Sequence, residues 1–186
     1  MDLSNASKLR LNGSDVKLVK LNGVVIYSKK EDDTSSNVIA KYTSSTSNVL
    51  PTFNTGYSEY SVEEIDNGDG TWTSILIRAG DSKPEMISFK DLNTLLYIHE
   101  IDTSNVTNMQ YMFHNCSQLT SLDSMMNIST DLSLPSNLDK ESVLDIIDNL
   151  VTVSSTKVLT VSATQLEWLS EDKITEANNK GWTIRA

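Results

Sequence analysis

Cysteine, histidine and glycine are all scarce in this chain, and each scarcity removes a class of explanation. The single cysteine, Cys116, cannot form a disulfide within the chain, so packing or partner subunits must supply stability. With 2 His beside that one Cys, a zinc or iron–sulfur site would have almost no nitrogen or sulfur ligands, and no metal is expected. The 7 Gly fall in no phosphate-cradling spacing, so no cofactor is expected either. No apolar run approaches the ~18 residues that a spanning helix needs, which argues against membrane insertion. The first residues, Met1-Asp2-Leu3-Ser4-Asn5, show neither the basic nor the apolar region of a secretory signal peptide, so export by that route is not expected. Lys and Arg number 15 against 25 Asp and Glu, a formal charge of -10, which opposes binding to the phosphate backbone of nucleic acid.

What the chain has in abundance is Ser, Thr and Asn, 60 of 186 residues, while aromatics make up only 6%. That balance is commoner in extended, β-rich surface or virion proteins than in compact enzymes. The length suffices for one ordinary core or two to three small modules.

Four stretches differ in grammar. Near the start, Leu9-Arg10-Leu11-Asn12-Gly13 is echoed by Val19-Lys20-Leu21-Asn22-Gly23. Asn-Gly between alternating apolar residues signals a type I′ hairpin, because both residues tolerate positive φ. Two such turns predict a three-stranded meander over residues 1–28, with strands near Ser7 to Leu11, Asp15 to Leu21 and Val24 to Ser28. A piece this small cannot bury enough surface to stand alone. Its apolar positions Leu9, Leu11, Leu18, Leu21, Val25 and Tyr27 are therefore the candidate assembly interface. Residues 29–37 are charged, then small and polar, and read as a linker.

Residues 38–87 return to a β pattern, with strands expected at Val38 to Tyr42, Tyr57 to Ile65 and Trp72 to Arg78. The last two are joined by Asp66-Asn67-Gly68-Asp69-Gly70. Those residues lack the remaining ligands of an EF-hand and read as a hairpin turn. Tyr57, Tyr60 and Trp72 are candidates for a carbohydrate-stacking surface, but cross-strand packing in the β-rich module is the preferred reading.

From residue 88 the spacing changes again. Leu95 and Leu119 stand 24 residues apart, within the range of leucine-rich repeat coils. Between them, Met109, Met112, Phe113 and Cys116 follow the i, i+3, i+4, i+7 spacing of one helix face. Further on, Ser136 or Asn137 is placed to cap a helix carrying Leu138, Val143, Leu144, Ile146, Ile147 and Leu150. A strand at Lys157 to Val161 follows, then a helix from Ser170 to Asn179 that Gly181 stops before Trp182-Thr183-Ile184.

Nothing in these stretches assembles catalytic chemistry. His114 and Cys116, two apart on a helix, would point about 200° from each other. His99 sits beside Glu100 where strand neighbours face opposite ways, and reads as an exposed polar residue. The pairs Glu63-Glu64 and Asp32-Asp33 read as solvated acidic surface rather than a glycosidase dyad. The chain is expected not to be an enzyme.

The segment Asp102-Thr103-Ser104-Asn105-Val106-Thr107-Asn108-Met109 through Met112-Phe113, Cys116 and Leu119-Thr120-Ser121-Leu122-Asp123 closely resembles the surface-protein repeats of the BspA-like leucine-rich class. The resemblance implies that Val106, Met109, Met112, Phe113, Cys116, Leu119 and Leu122 are core, in one clear repeat with a degenerate second. Residues Thr160 to Ile184 resemble the C-terminal cap of short leucine-rich proteins from phages and prophages of Gram-positive bacteria. The N-terminal meander looks like the leader of many phage tail and minor structural proteins. Together these resemblances imply a mixed α+β, modular chain: meander, linker, β-rich module (38–87) and leucine-rich-repeat-like α/β segment with a C-terminal α/β cap (88–186). They imply a non-enzymatic virion structural protein of the tail, baseplate or fibre, assembled in the host cytoplasm. Its partners would be other virion proteins or copies of itself, with a host glycan or surface protein as receptor. The alternative is a bacterial cell-surface or prophage-encoded adhesin that binds a host protein or glycan.

Overall fold

The computed structural model describes the backbone of residues 8–11, 14–21 and 24–28, and residues 37–186 apart from 55, 56 and 59. The chain is mixed, with mostly strand (34%) and less helix (16%), and its sheets are not closed. It divides into two compact units, residues 1–36 and 37–186.

The first unit holds three strands, β1 (Lys8–Leu11), β2 (Ser14–Leu21) and β3 (Val24–Ser28), paired antiparallel in chain order. The expected meander is there. Its two Asn-Gly turns and residues 29–36 of the expected linker lie outside the described residues.

In the second unit, β4 (Val38–Ser44), β5 (Thr52–Phe53), β6 (Tyr60–Asp66), β7 (Trp72–Arg78) and β8 (Ile87–Ser88) precede the longest strand, β9 (Leu95–Asp102). The β6–β7 hairpin closes as expected over 66–70. There Gly68 and Gly70 adopt φ of 77° and 86°, and the Asp66 and Asp69 carboxylates accept the Gly68 and Thr71 N–H groups. β7 pairs with β4, and β4 pairs antiparallel with β9. Residues 38–87 and 88–186 thus share one sheet and one core, so the division expected at residue 87 does not separate compact units.

After β9 the chain winds in coils. β10 (Ser121–Leu122) and β11 (Met125–Met126) pair parallel with β9, each residue 24 positions beyond its partner. A second ladder links Met109 to Leu132 in β12 (Leu132–Ser133), Leu159 in β13 (Lys157–Thr160) and Ile184 in β14 (Trp182–Arg185). Parallel neighbours require a crossover of a dozen or more residues. Here turns supply the first, α1 (Lys140–Asp148) the second, and α2 (Ala163–Glu167) with α3 (Glu171–Asn179) the third. Polar bonds repeat the spacing: Asn115 to Asp91, Ser117 to Asn93 and Thr120 to the Leu96 carbonyl each span 24 residues. The coil stack therefore extends well beyond the one clear copy in the sequence.

Met109, Met112, Phe113 and Cys116 are buried, as expected, but not on an α-helix. Residues 109–116 form consecutive turns with N–H groups bonded three residues back. Tyr111 and Asn115, with φ of 63° and 60°, cannot propagate a right-handed helix. The cap of α1 also differs. Asp139 is its N-cap and accepts the Ser142 N–H, while Asn137 donates instead to the Ser117 and Leu119 carbonyls. α3 begins behind Ser170 and ends before Gly181, whose φ of 90° suits only glycine.

Candidate functional site

In the N-terminal sheet, Leu9 stands opposite Val16, Leu18 opposite Tyr27, and Lys20 opposite Val25. Strand alternation then places Leu9, Leu11, Leu18, Val25 and Tyr27 at positions of one face. Leu21, opposite Val24, falls on the other. Five of the six candidate interface residues share a face by register.

The aromatic candidates divide. Tyr57 and Tyr60 stack at 6.1 Å with their rings 5° from parallel, and Phe53 completes the group at 5.2 and 4.7 Å. All three are partly buried against the main core, and the Tyr57 hydroxyl donates to the Ser82 carbonyl. Trp72 lies elsewhere. It pairs with Asp66 while Tyr60 pairs with Arg78, at opposite ends of the hairpin, about 20 Å apart at ~3.3 Å per residue. Phe53 was not a sequence candidate, because Tyr57 precedes its strand and the packing partner comes from the two-residue β5, which has no periodic signal.

Cys116 and His114 have different partners. The thiol is buried, donates to the Phe89 carbonyl at 3.0 Å, and is pushed by burial up to about 11. His114 is exposed, 3.9 Å from the Asp91 carboxylate. His99 is half-buried rather than exposed: it is the extra residue of a bulge in β9, between Ile98 and Glu100, which pair with consecutive residues of β4, and its Nε2 lies 2.9 Å from Thr43 Oγ1. Burial, with Lys41 nearby, holds it down at about 4. Asp123 and Asp145, by contrast, are raised, first by burial and then by the neighbouring carboxylates Glu141, Asp139 and Asp148.

The concave features follow the coils. A polar groove of about 310 Å³ crosses the second ladder, with Asn108 and Gln110, then Asp131 and Ser133, then Lys157 and Thr160, then Arg185 on successive rungs. Asp131 Oδ1 accepts the Val158 N–H at 2.8 Å, which ties the one carboxylate of the groove to its wall. The hydroxyl of Thr130, also lining it, has no hydrogen-bond partner among the described residues. Sequence reading missed this groove. Its members are unremarkable singly and become neighbours only because successive coils are 23 to 27 residues long.

Such a surface can recognise a polar ligand through hydroxyl, amide and two cationic groups. Among the described residues no group of three or more potential metal ligands comes together, and no helix is long and apolar enough to cross a membrane. No family model matches the sequence, and neither curated proteins nor solved structures show significant similarity to it.

Proposed function

We propose that this chain is a non-enzymatic structural protein of a phage particle, a component of tail, baseplate or fibre. Its N-terminal sheet joins it to other virion proteins or to its own copies, and its coils are displayed for attachment to a host glycan or protein. The observation that carries this reading is the coil stack of the second unit, centred on the Asp102–Asp123 segment that resembles BspA-like surface repeats, together with a first unit that holds a small three-stranded sheet. A sheet of three short strands is marginal alone, and five of its six candidate interface residues share a face by register, which suits an assembly module. The chemistry of attachment is then strand pairing, apolar docking and polar recognition, with no bond made or broken. A cell-surface or prophage-encoded adhesin is the second reading, favoured by the polar groove across the second ladder.

Light scattering on the full chain, repeated after removal of residues 1–30, tests the assembly role. The expected result is a closed oligomer that becomes a folded monomer on truncation. The same monomeric mass before and after truncation would refute it.

A further inference from the structure

Tyr111 is 55% exposed and holds its backbone at φ 63°. Among the described residues, the other non-glycine residues in that conformation are Asn48, Asp91, Asn115 and Asn127, whose short side chains tolerate it. A bulky aromatic there is a local conflict that packing does not reward, since the ring is largely in solvent. Strain retained at an exposed position is characteristic of recognition sites. The ring meets His114 edge-on, with centroids 5.7 Å apart and planes at 85°. Beside it lies a pocket of about 420 Å³ whose walls include Tyr111, His114, Asn115, Leu134, Pro135 and Asn137.

The polar groups of this pocket are half engaged. Asn115 donates its amide N–H to Asp91 Oδ1 at 2.7 Å, and Asn137 donates to the carbonyls of Ser117 and Leu119. These bonds fix both amide planes. They leave the two amide oxygens and the Tyr111 hydroxyl without a protein partner among the described residues. The pocket thus offers an aromatic surface, two immobilised acceptors and an apolar floor from Leu134 and Pro135.

A pyranose ring presents a complementary pattern, an apolar C–H face bounded by hydroxyl donors. An aromatic side chain supplies rigid apolar area at low entropic cost, and fixed amides orient the rim. The formal charge of -10, with Asp91 bonded to the pocket wall, disfavours an acidic sugar. We propose that this pocket binds an uncharged pyranose unit of a glycan, stacked on Tyr111, with its hydroxyls donating to the amide oxygens of Asn115 and Asn137. The proposal deepens the attachment reading and rests on it, but not on the assembly role of residues 1–30.

Saturation-transfer NMR on the full chain, with chitotetraose, maltotetraose and mannotetraose as probes, tests it. At least one probe should receive saturation from the protein. Tyr111→Gly removes the ring and relieves the left-handed strain, so melting temperature should hold or rise while affinity falls at least about tenfold. Tyr111→Trp, which keeps an aromatic surface, should retain binding. Failure of all three probes, or full binding by Tyr111→Gly, would overturn the proposal. Saturation of a proline-rich peptide but of no sugar would overturn it equally, by making the pocket a protein-recognition site. Neither failure bears on the change in mass expected when residues 1–30 are removed.

Discussion

Replacing Ser142 with Ala probes how the main sheet ends. β10 is the last strand of that sheet, and its Leu122 N–H has no further strand to meet. It donates instead to Ser142 Oγ at 2.8 Å, from the first turn of α1. Both residues are nearly inaccessible, Leu122 at 1% and Ser142 at 3%. Removing the hydroxyl therefore strands a backbone donor away from water, at a cost of about 1–3 kcal/mol. Alanine is the better helix former by a few tenths of a kcal/mol, which offsets part of the loss. The net expectation is about 1–2 kcal/mol. For a unit of this size, ~2–4 °C per kcal/mol gives a melting shift of about 2–8 °C.

Urea and thermal unfolding followed by tryptophan fluorescence would read the change. Amide hydrogen exchange at Leu122 would locate it, because that one N–H should lose protection more than its neighbours in β9. Asp139→Ala is the matched control: it removes the N-cap bond to the Ser142 N–H but leaves the hydroxyl in place. It should cost about 0.5–2 kcal/mol without selectively exposing Leu122. An unchanged melting temperature together with unchanged exchange at Leu122 would refute the idea that a side chain terminates the sheet.

Two further outcomes follow from particular contacts. Gly181→Ala should destabilise by at least about 2 kcal/mol in urea unfolding, since φ is 90° and a Cβ would sit 2.9 Å from the Val153 carbonyl oxygen. Gly68→Ala, with open space around it, should cost clearly less, and equal losses would discount the contact with Val153. His99 is held at about 4, below its unfolded value near 6.5, so the unfolded chain takes up a proton that the folded chain refuses. Stability should therefore fall as pH drops through that window, by about 1–2 kcal/mol near pH 5 after allowance for partial exposure, and His99→Gln should abolish that component of the acid sensitivity.

Local signals made some parts legible in the sequence and left others hidden. The hairpin at 66–70 was readable because glycine and aspartate state the turn geometry themselves. The strand β7 was read to the residue, and α3 nearly so, since Ser170 and Gly181 mark its ends. The burial of Met109, Met112, Phe113 and Cys116 was readable from spacing, but their helix was not, because consecutive turns share the i, i+3 periodicity of a helix. Only the left-handed backbones at Tyr111 and Asn115 separate the two, and Tyr111 gives no warning of them. α2 carried an available signal that went unread: Ser162 and Gln165 form a reciprocal capping box. The aromatic group around Phe53, the groove over the second ladder and the pocket beside Tyr111 were invisible for a different reason. Each joins residues that are distant in sequence or that come from successive coils.

The scarcity of clear repeats has its own structural cause. The first ladder contracts along the stack, from the eight residues of β9 to two-residue strands in β10 and β11, and then to α1. The second ladder grows in the same direction, from a single bridge at Met109 to the four-residue pairing of β13 with β14. Coils that exchange one ladder for the other cannot share a sequence template, because a position that lies in a strand in one coil lies in a helix or turn in the next. Only the coil between β9 and β10 has the full pattern, and that is where the recognisable repeat lies. The two edges of the main sheet, β10 and β6, are capped by equally specific means. At one edge Ser142 and Asp139 bond to the backbone of Leu122 and Thr120 that no further strand meets. At the other, Glu63, Glu64 and Asp66 charge the edge strand β6, which disfavours pairing with a further strand. A sheet capped this way at both edges does not extend by adding further strands.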